Sequence, residues 1–262
     1  MTRIWGHFLS LAVTGLVASA VIPACATNDQ SIFIRGVIAP PQNRQNGTCI
    51  YTDDAQQALL FQGTFDVGIK NDYFAVMLVG SHLIQRGDPT NGPRAESNRA
   101  HLDGAIVRVT ETNGDLIHEF TSPAGGFTDT ATNNTPDYGL LGTTVIDAAT
   151  RNILFSRIPN AFTSPEVSVL VNIKAFGRTL GGEDLESAEF QFPVTVCNGC
   201  LISFSNADDP ATPAADCDRD LAAAGGSSAT LPCNPGQDEG TPCQLCRNEW
   251  KICNTPPAQL NR

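Results

Sequence analysis

The sequence predicts an all-β chain: an immunoglobulin-like or related Greek-key β-sandwich followed by a cysteine-rich, loop-rich C-terminal tail. Three observations predict it. Period-two alternation of apolar and polar residues dominates from Ser31 to Val196, as strands with one face on a core require. No long segment keeps apolar residues at i, i+3, i+4 and i+7, so helical signals are scarce. Seven cysteines fall in the 57 residues from Cys197 to Cys253, a density typical of disulfide scaffolds.

The elements follow in order. Ile32 to Ile38 is a first strand candidate. Asp53 to Leu60 is a candidate turn of helix. Leu59, Phe61, Phe65, Val67 and Ile69 share one face of a half-buried strand whose other face carries Gln62, Thr64, Asp66 and Lys70. Tyr73 to Leu83 is apolar on both faces and reads as a central, covered strand. Ala105, Val107 and Val109 alternate with Ile106, Arg108 and Thr110. Asn113-Gly114 then separates this run from Leu116, Ile117 and Phe120, a strong hairpin signal because both turn residues tolerate positive φ. Thr143 to Ile146 is a further candidate. Val167, Val169, Val171, Ile173 and Ala175 line one face of a strand, and Gly177 to Gly182 supplies a turn. Ala188, Phe190, Phe192, Val194 and Val196 line the returning strand. Pro193 lacks an N–H, which places its strand at an edge or breaks it there. This gives roughly seven to nine strands, within the range of such sandwiches. The Trp-and-Cys core signature of true immunoglobulin domains is absent, since Trp5 and Trp250 lie outside the body.

The predicted organisation is a signal peptide over 1–24, a tether over 25–30, the sandwich over 31–196 and the tail over 197–262. Arg3 precedes an apolar stretch from Phe8 to Ala24 that is short for a bilayer span and ends in small residues, as export signals do. Ile22-Pro23-Ala24-Cys25 resembles the lipobox of bacterial lipoproteins, although Pro23 stands where a small residue is usual. The resemblance covers the signal region alone. It implies a lipid on Cys25, and Ala26 after it favours the outer membrane or cell surface. Ala24-Cys25-Ala26 and Ala18-Ser19-Ala20 are competing A-x-A cleavage sites that would give a periplasmic or secreted soluble chain. Parity separates them: lipidation at Cys25 or cleavage after Ala26 leaves eight cysteines, whereas cleavage after Ala20 leaves nine.

The eight are Cys49, Cys197, Cys200, Cys217, Cys233, Cys243, Cys246 and Cys253. The tail has too little apolar mass for a core of its own, so covalent links must hold it. Seven tail cysteines are an odd number, and Cys49 is the one partner left, which predicts a disulfide from Cys49 to the tail. Cys197-Asn198-Gly199-Cys200 and Cys243-Gln244-Leu245-Cys246 are CxxC pairs that could together hold zinc, or exchange disulfides. Export and a gap of 42 residues between the pairs argue against zinc. A pair that follows a strand, with no helix N-terminus to stabilise a thiolate, argues against exchange. A disulfide framework is the preferred reading.

Net charge of −11, with only Lys70, Lys174 and Lys251 as lysines, repels phosphate backbones and argues against nucleic acid. Asp216-Cys217-Asp218-Arg219-Asp220 opens like a calcium loop, but Leu221 and Ser227 stand where glycine and glutamate are required. His7, His82, His101 and His118 form no metal-binding pair, and no nucleophile elbow or phosphate loop occurs. No catalytic residue, cofactor site or metal site is therefore assigned. The expected function is that of a non-enzymatic cell-envelope lipoprotein with a structural, adhesive or binding role. It would meet the membrane through its lipid and an unassigned protein or glycan partner through its loops; Gly87 to Asn98 and Phe127 to Tyr138 are polar loops of a length at which binding usually resides, although ordinary solvated connections are the more common outcome. A carbohydrate- or small-ligand-binding module is the alternative, with Tyr51, Tyr73, Tyr138 and Trp250 as the candidate stacking residues. A thiol-disulfide or zinc-handling protein is the third reading.

Overall fold

The computed structural model describes residues 31–41, 49–85, 96–133, 135–204, 232–246 and 251–254. The signal and tether with Cys25, the acidic run with Cys217, and Trp250 lie outside the described residues.

The body is a β-sandwich. One sheet contains β1 (Ile32–Ile38), β2 (Leu59–Leu60), β4 (Tyr73–Ser81) and β7 (Asp137–Ile146), in the order β2-β1-β4-β7. The second contains β3 (Gly63–Asp66), β5 (Ala100–Glu111), β6 (Leu116–Thr128), β8 (Val167–Thr179) and β10 (Phe190–Cys197), in the order β3-β10-β8-β5-β6. Short β9 (Asp184–Glu186) pairs with β8. The inner faces meet in one apolar core. Ala75, Met77 and Val79 come from the first sheet, and Val107, Val109, Val171, Ile173, Phe192 and Val194 from the second; all are fully or almost fully buried. At the open side, the Thr143 hydroxyl of β7 donates to Ser122 Oγ of β6 at 2.7 Å, joining the two sheets across a buried seam.

Local chemistry explains most of these elements. β5 and β6 form the hairpin expected at Asn113-Gly114: Gly114 has φ +94°, and Glu111 N–H donates to the Asp115 carbonyl across the turn. β8 and β10 pair from Val167↔Val196 to Ile173↔Phe190. β4 lies between β1 and β7, the central position that its two-sided apolarity predicts.

Several expectations are corrected. The run from Leu59 to Ile69 is not one strand. β2 belongs to the first sheet and β3 to the second, so the chain changes sheets at Phe61-Gln62 and leaves Phe61 94% exposed. Asp66, expected on a solvated face, is fully buried. Asp53 to Leu60 contains a turn and β2, not a helix. Ala188 is exposed because the chain between β9 and β10 leaves the ladder before Phe190. β10 has neighbours on both sides. Its pairing with β3 starts only at Val194↔Gly63, so at Pro193 the strand still has one neighbour, β8, and no donor is demanded on the β3 side.

A helix that the periodicity did not announce, α1 (Ala148–Arg157), closes one end of the sandwich with Leu154. The Asp147 side chain caps its first turn by accepting from Thr150 N–H at 2.8 Å. Arg151 donates through Nε and Nη2 to the Val67 carbonyl, tying the helix to the segment after β3.

Candidate functional site

The residues with the most chemistry converge on the β3 edge of the second sheet. An uncovered edge strand offers unpaired N–H and C=O groups to any extended chain. Here the protein's own tail takes that position. Asp66 N–H donates to the Gly236 carbonyl at 2.9 Å, and Asp238 N–H donates to the Thr64 carbonyl at 3.0 Å. A bridge pairs Phe65 with Gln237. Further along, Thr241 N–H donates to the Leu201 carbonyl, and β11 (Ile202–Ser203) pairs with β12 (Thr241–Pro242). The Cys49–Cys233 disulfide fastens this segment from the other side. Cys49 is thus joined to a tail cysteine, as parity requires.

Two side chains complete the clasp. Gln237 accepts from Phe74 N–H at 3.0 Å and donates back to the Phe74 carbonyl at 2.6 Å, imitating a strand pair with β4. Asp238 accepts from Thr64 N–H at 2.8 Å and from the Tyr73 hydroxyl at 2.7 Å. Gly63 makes room for that hydroxyl, since a Cβ there would lie 2.5 Å from it. Burial pushes the Asp238 carboxyl above its ordinary value, against the hydrogen bonds that favour its charged form. Burial and then the neighbouring Asp238 charge raise the Tyr73 hydroxyl well above its own. Tyr73 is therefore a clasp residue inside the core and no stacking platform.

Beside the clasp lies the first CxxC pair. Cys197 ends β10 and is joined to Cys200. Gly199, at φ +94°, makes the turn between them, and the Phe162 ring packs where a side chain there would lie. The Asp66 carboxylate is the hub of this turn. It accepts from Gly199 N–H at 2.8 Å, Leu201 N–H at 3.0 Å and Gly68 N–H at 3.0 Å. Asp66 makes no ion pair among the described residues. Burial raises its pKa, and the three N–H donors oppose that rise. A carboxylate oxygen of Asp66 and the sulfurs of Cys197 and Cys200 lie within 4.8 Å of one another. Cys197 is 4% exposed, whereas Cys200 is open to solvent.

The four thiols of the zinc reading are not gathered. Cys197 pairs with Cys200, Cys246 pairs with Cys253, and Cys243 is also disulfide-bonded. Cys243, Cys246 and Cys253 are buried with Ile69 and Ile202 in a second small apolar cluster, against which Phe162, Leu201 and Ile252 pack. The second CxxC opens a single helical turn, α2 (Cys243–Cys246).

His82, His101 and His118 have structural partners. His118 meets the α1 cap, with Nδ1 3.2 Å from Thr150 Oγ1. His101 pairs with Asp103 at 2.7 Å and its ring packs on Phe127. His82, just past β4, stacks on Phe33 at 4.8 Å. Tyr138 meets Phe33 edge-on and receives a hydrogen bond from Arg35 at 3.0 Å. Phe33, Arg35, His82 and Tyr138 form a half-exposed aromatic and cationic strip on the outer face of the first sheet, of which sequence reasoning named Tyr138 for stacking. Its signal was the alternation itself: Phe33 and Arg35 flank buried Ile34 and so face outward. Tyr51 lies at the start of the segment linked by Cys49.

Among the described residues, no helix is long and apolar enough to cross a membrane, and the formed disulfides suit an oxidising, exported environment. No known protein family and no characterised protein matches the sequence.

Proposed function

We propose that this chain is a non-enzymatic lipoprotein of the cell envelope, anchored through a lipid on Cys25 at the outer membrane or cell surface, with a structural, adhesive or binding role. The observation that carries the reading is the Cys49–Cys233 disulfide, which joins residues 184 positions apart. Such a link depends on an oxidising compartment and fastens the tail segment around Cys233 to the displayed body. The lipobox-like Ile22-Pro23-Ala24-Cys25 supplies the anchor. A net charge of −11 keeps the displayed surface soluble.

A second reading, binding of a carbohydrate or another small ligand, is favoured by the strip of Phe33, Arg35, His82 and Tyr138. Aromatic faces stack on apolar ring surfaces and Arg35 supplies donors.

Mass spectrometry of membrane-extracted protein, alkylated without reduction, tests the first reading. The expected result is a diacylglyceryl mass on a chain beginning at Cys25, with no free thiol. A soluble chain beginning at Thr27 or Val21 contradicts the anchor. For the second reading, a glycan-binding screen with the Phe33→Ala and Tyr138→Ala chains is expected to show binding that both substitutions abolish. Binding unaffected by either substitution removes the strip from the account.

A further inference from the structure

We propose that the Cys197–Cys200 disulfide is a redox-active exchange site for a dithiol, with Asp66 serving as the buried proton donor and acceptor for Cys197. The inference goes beyond the envelope reading and does not depend on the lipid anchor.

The two cysteines of the pair are placed asymmetrically. Cys200 is exposed and Cys197 is buried at the end of β10. With Cys200 the exposed residue of the pair and Cys197 the buried one, the Cys200 sulfur is assigned as the point of attack and the Cys197 sulfur as the leaving group. Exchange requires that leaving sulfur to carry the electron pair, and a buried thiolate without a partner is costly. An exchange-competent CxxC commonly relies on a helix N-terminus for this, and this pair follows a strand. Asp66 occupies the corresponding place. It is fully buried, lies within 4.8 Å of both sulfurs, and is held by N–H groups of Gly199 and Leu201 on the same turn. Burial raises its pKa, so it retains a proton where an exposed aspartate would have lost one.

A thiolate of the partner dithiol attacks Cys200 Sγ. A new S–S bond forms there while the Cys197–Cys200 bond breaks, and the electron pair goes to Cys197 Sγ. Protonated Asp66 delivers its proton to that sulfur. The partner's second thiolate then attacks its own sulfur in the mixed disulfide and expels Cys200 thiolate, which takes a proton from water. The partner dithiol is oxidised to a disulfide and Cys197–Cys200 is reduced to two thiols, a two-electron exchange. In the reverse direction Asp66 accepts the Cys197 proton.

The test uses dithiothreitol as the dithiol and the full exported chain. Samples quenched by alkylation at successive times and mapped by mass spectrometry report which cysteines have opened. Cys197–Cys200 is expected to open at least about tenfold faster than Cys49–Cys233 or Cys246–Cys253, because the sulfur of the exposed cysteine is the one attacked. The rate, normalised to dithiothreitol thiolate, is expected to fall as pH rises and Asp66 loses its proton. In the Asp66→Asn chain, with Cys49–Cys233 intact as the check of folding, that rate is expected to drop by at least about tenfold and lose its pH dependence. Equal reduction of all the pairs overturns the proposal. So does a flat normalised profile in the unmodified chain, which needs no variant to fold, or an Asp66→Asn chain that opens as fast.

Discussion

The Cys49–Cys233 disulfide spans 184 positions and Cys197–Cys200 spans three, yet both meet the chain beside β3. Loop-closure entropy separates them: the long link removes far more freedom from the unfolded chain, about 5 kcal/mol against about 2 kcal/mol for the short one. Exposure separates them again, since Cys200 is open to solvent. The long link holds the tail on the sandwich. The short one contributes less to folding than its position implies, and a buried carboxylate lies beside it. Cysteines close together in sequence are therefore not equivalent in role, and the loop each pair closes shows which is a fastener.

Replacing each pair with serine sharpens this difference. Cys49→Ser with Cys233→Ser is expected to lower stability by about 5 kcal/mol, read from the urea midpoint. Cys197→Ser with Cys200→Ser is expected to cost less than half as much. Equal losses would break the comparison.

The clasp that works alongside the long link is next in size. Tyr73→Phe leaves the partly buried Asp238 without its hydroxyl donor and is expected to cost about 1–3 kcal/mol. Asp147→Ala, which removes the α1 cap, is expected to cost about 0.5–2 kcal/mol and to leave the tail protected from proteolysis. Phe61→Ser removes a ring that is 94% exposed and is expected to change stability by less than about 0.5 kcal/mol.

Acidity probes the buried carboxyl of Asp66 and the partly buried one of Asp238 together. Both Asp66 and Asp238 are raised above 3.8 by burial. The folded chain therefore holds these protons more tightly than the unfolded chain does. Their contribution to stability is full below the unfolded value and is lost as pH rises through the folded values. Asp238→Asn removes one of these titrations. Its urea midpoint is expected to decline less than that of the unmodified chain from about pH 4 to pH 7. An unchanged slope would mean that Asp238 is not the acid that titrates in the clasp.

The sandwich was legible because its signals are local. Val167, Val169, Val171, Ile173 and Ala175 keep one apolar face, Asn113-Gly114 marks a hairpin turn, and Tyr73 to Leu83 is apolar on both faces. Cys49 was legible by counting. Three features were not. The sheet change at Phe61 is hidden because Leu59 to Ile69 keeps the period of a single strand. α1 packs end-on with few buried residues, so it lacks an apolar stripe, although Asp147 three positions before Thr150 is a cap signal. Asp66 reads as a solvated residue because the donors that make its burial tolerable, Gly199 and Leu201, stand more than a hundred positions away. The acid of the clasp is equally remote: Asp238 meets Tyr73 across a separation of 165 positions.

The central claim is that the tail is part of the sandwich, fastened through Cys49. A non-reducing peptide map of the exported protein tests it most directly. The account predicts one linked pair containing Cys49 and Cys233. Recovery of Cys49 as a free thiol, or joined to another cysteine, would contradict it.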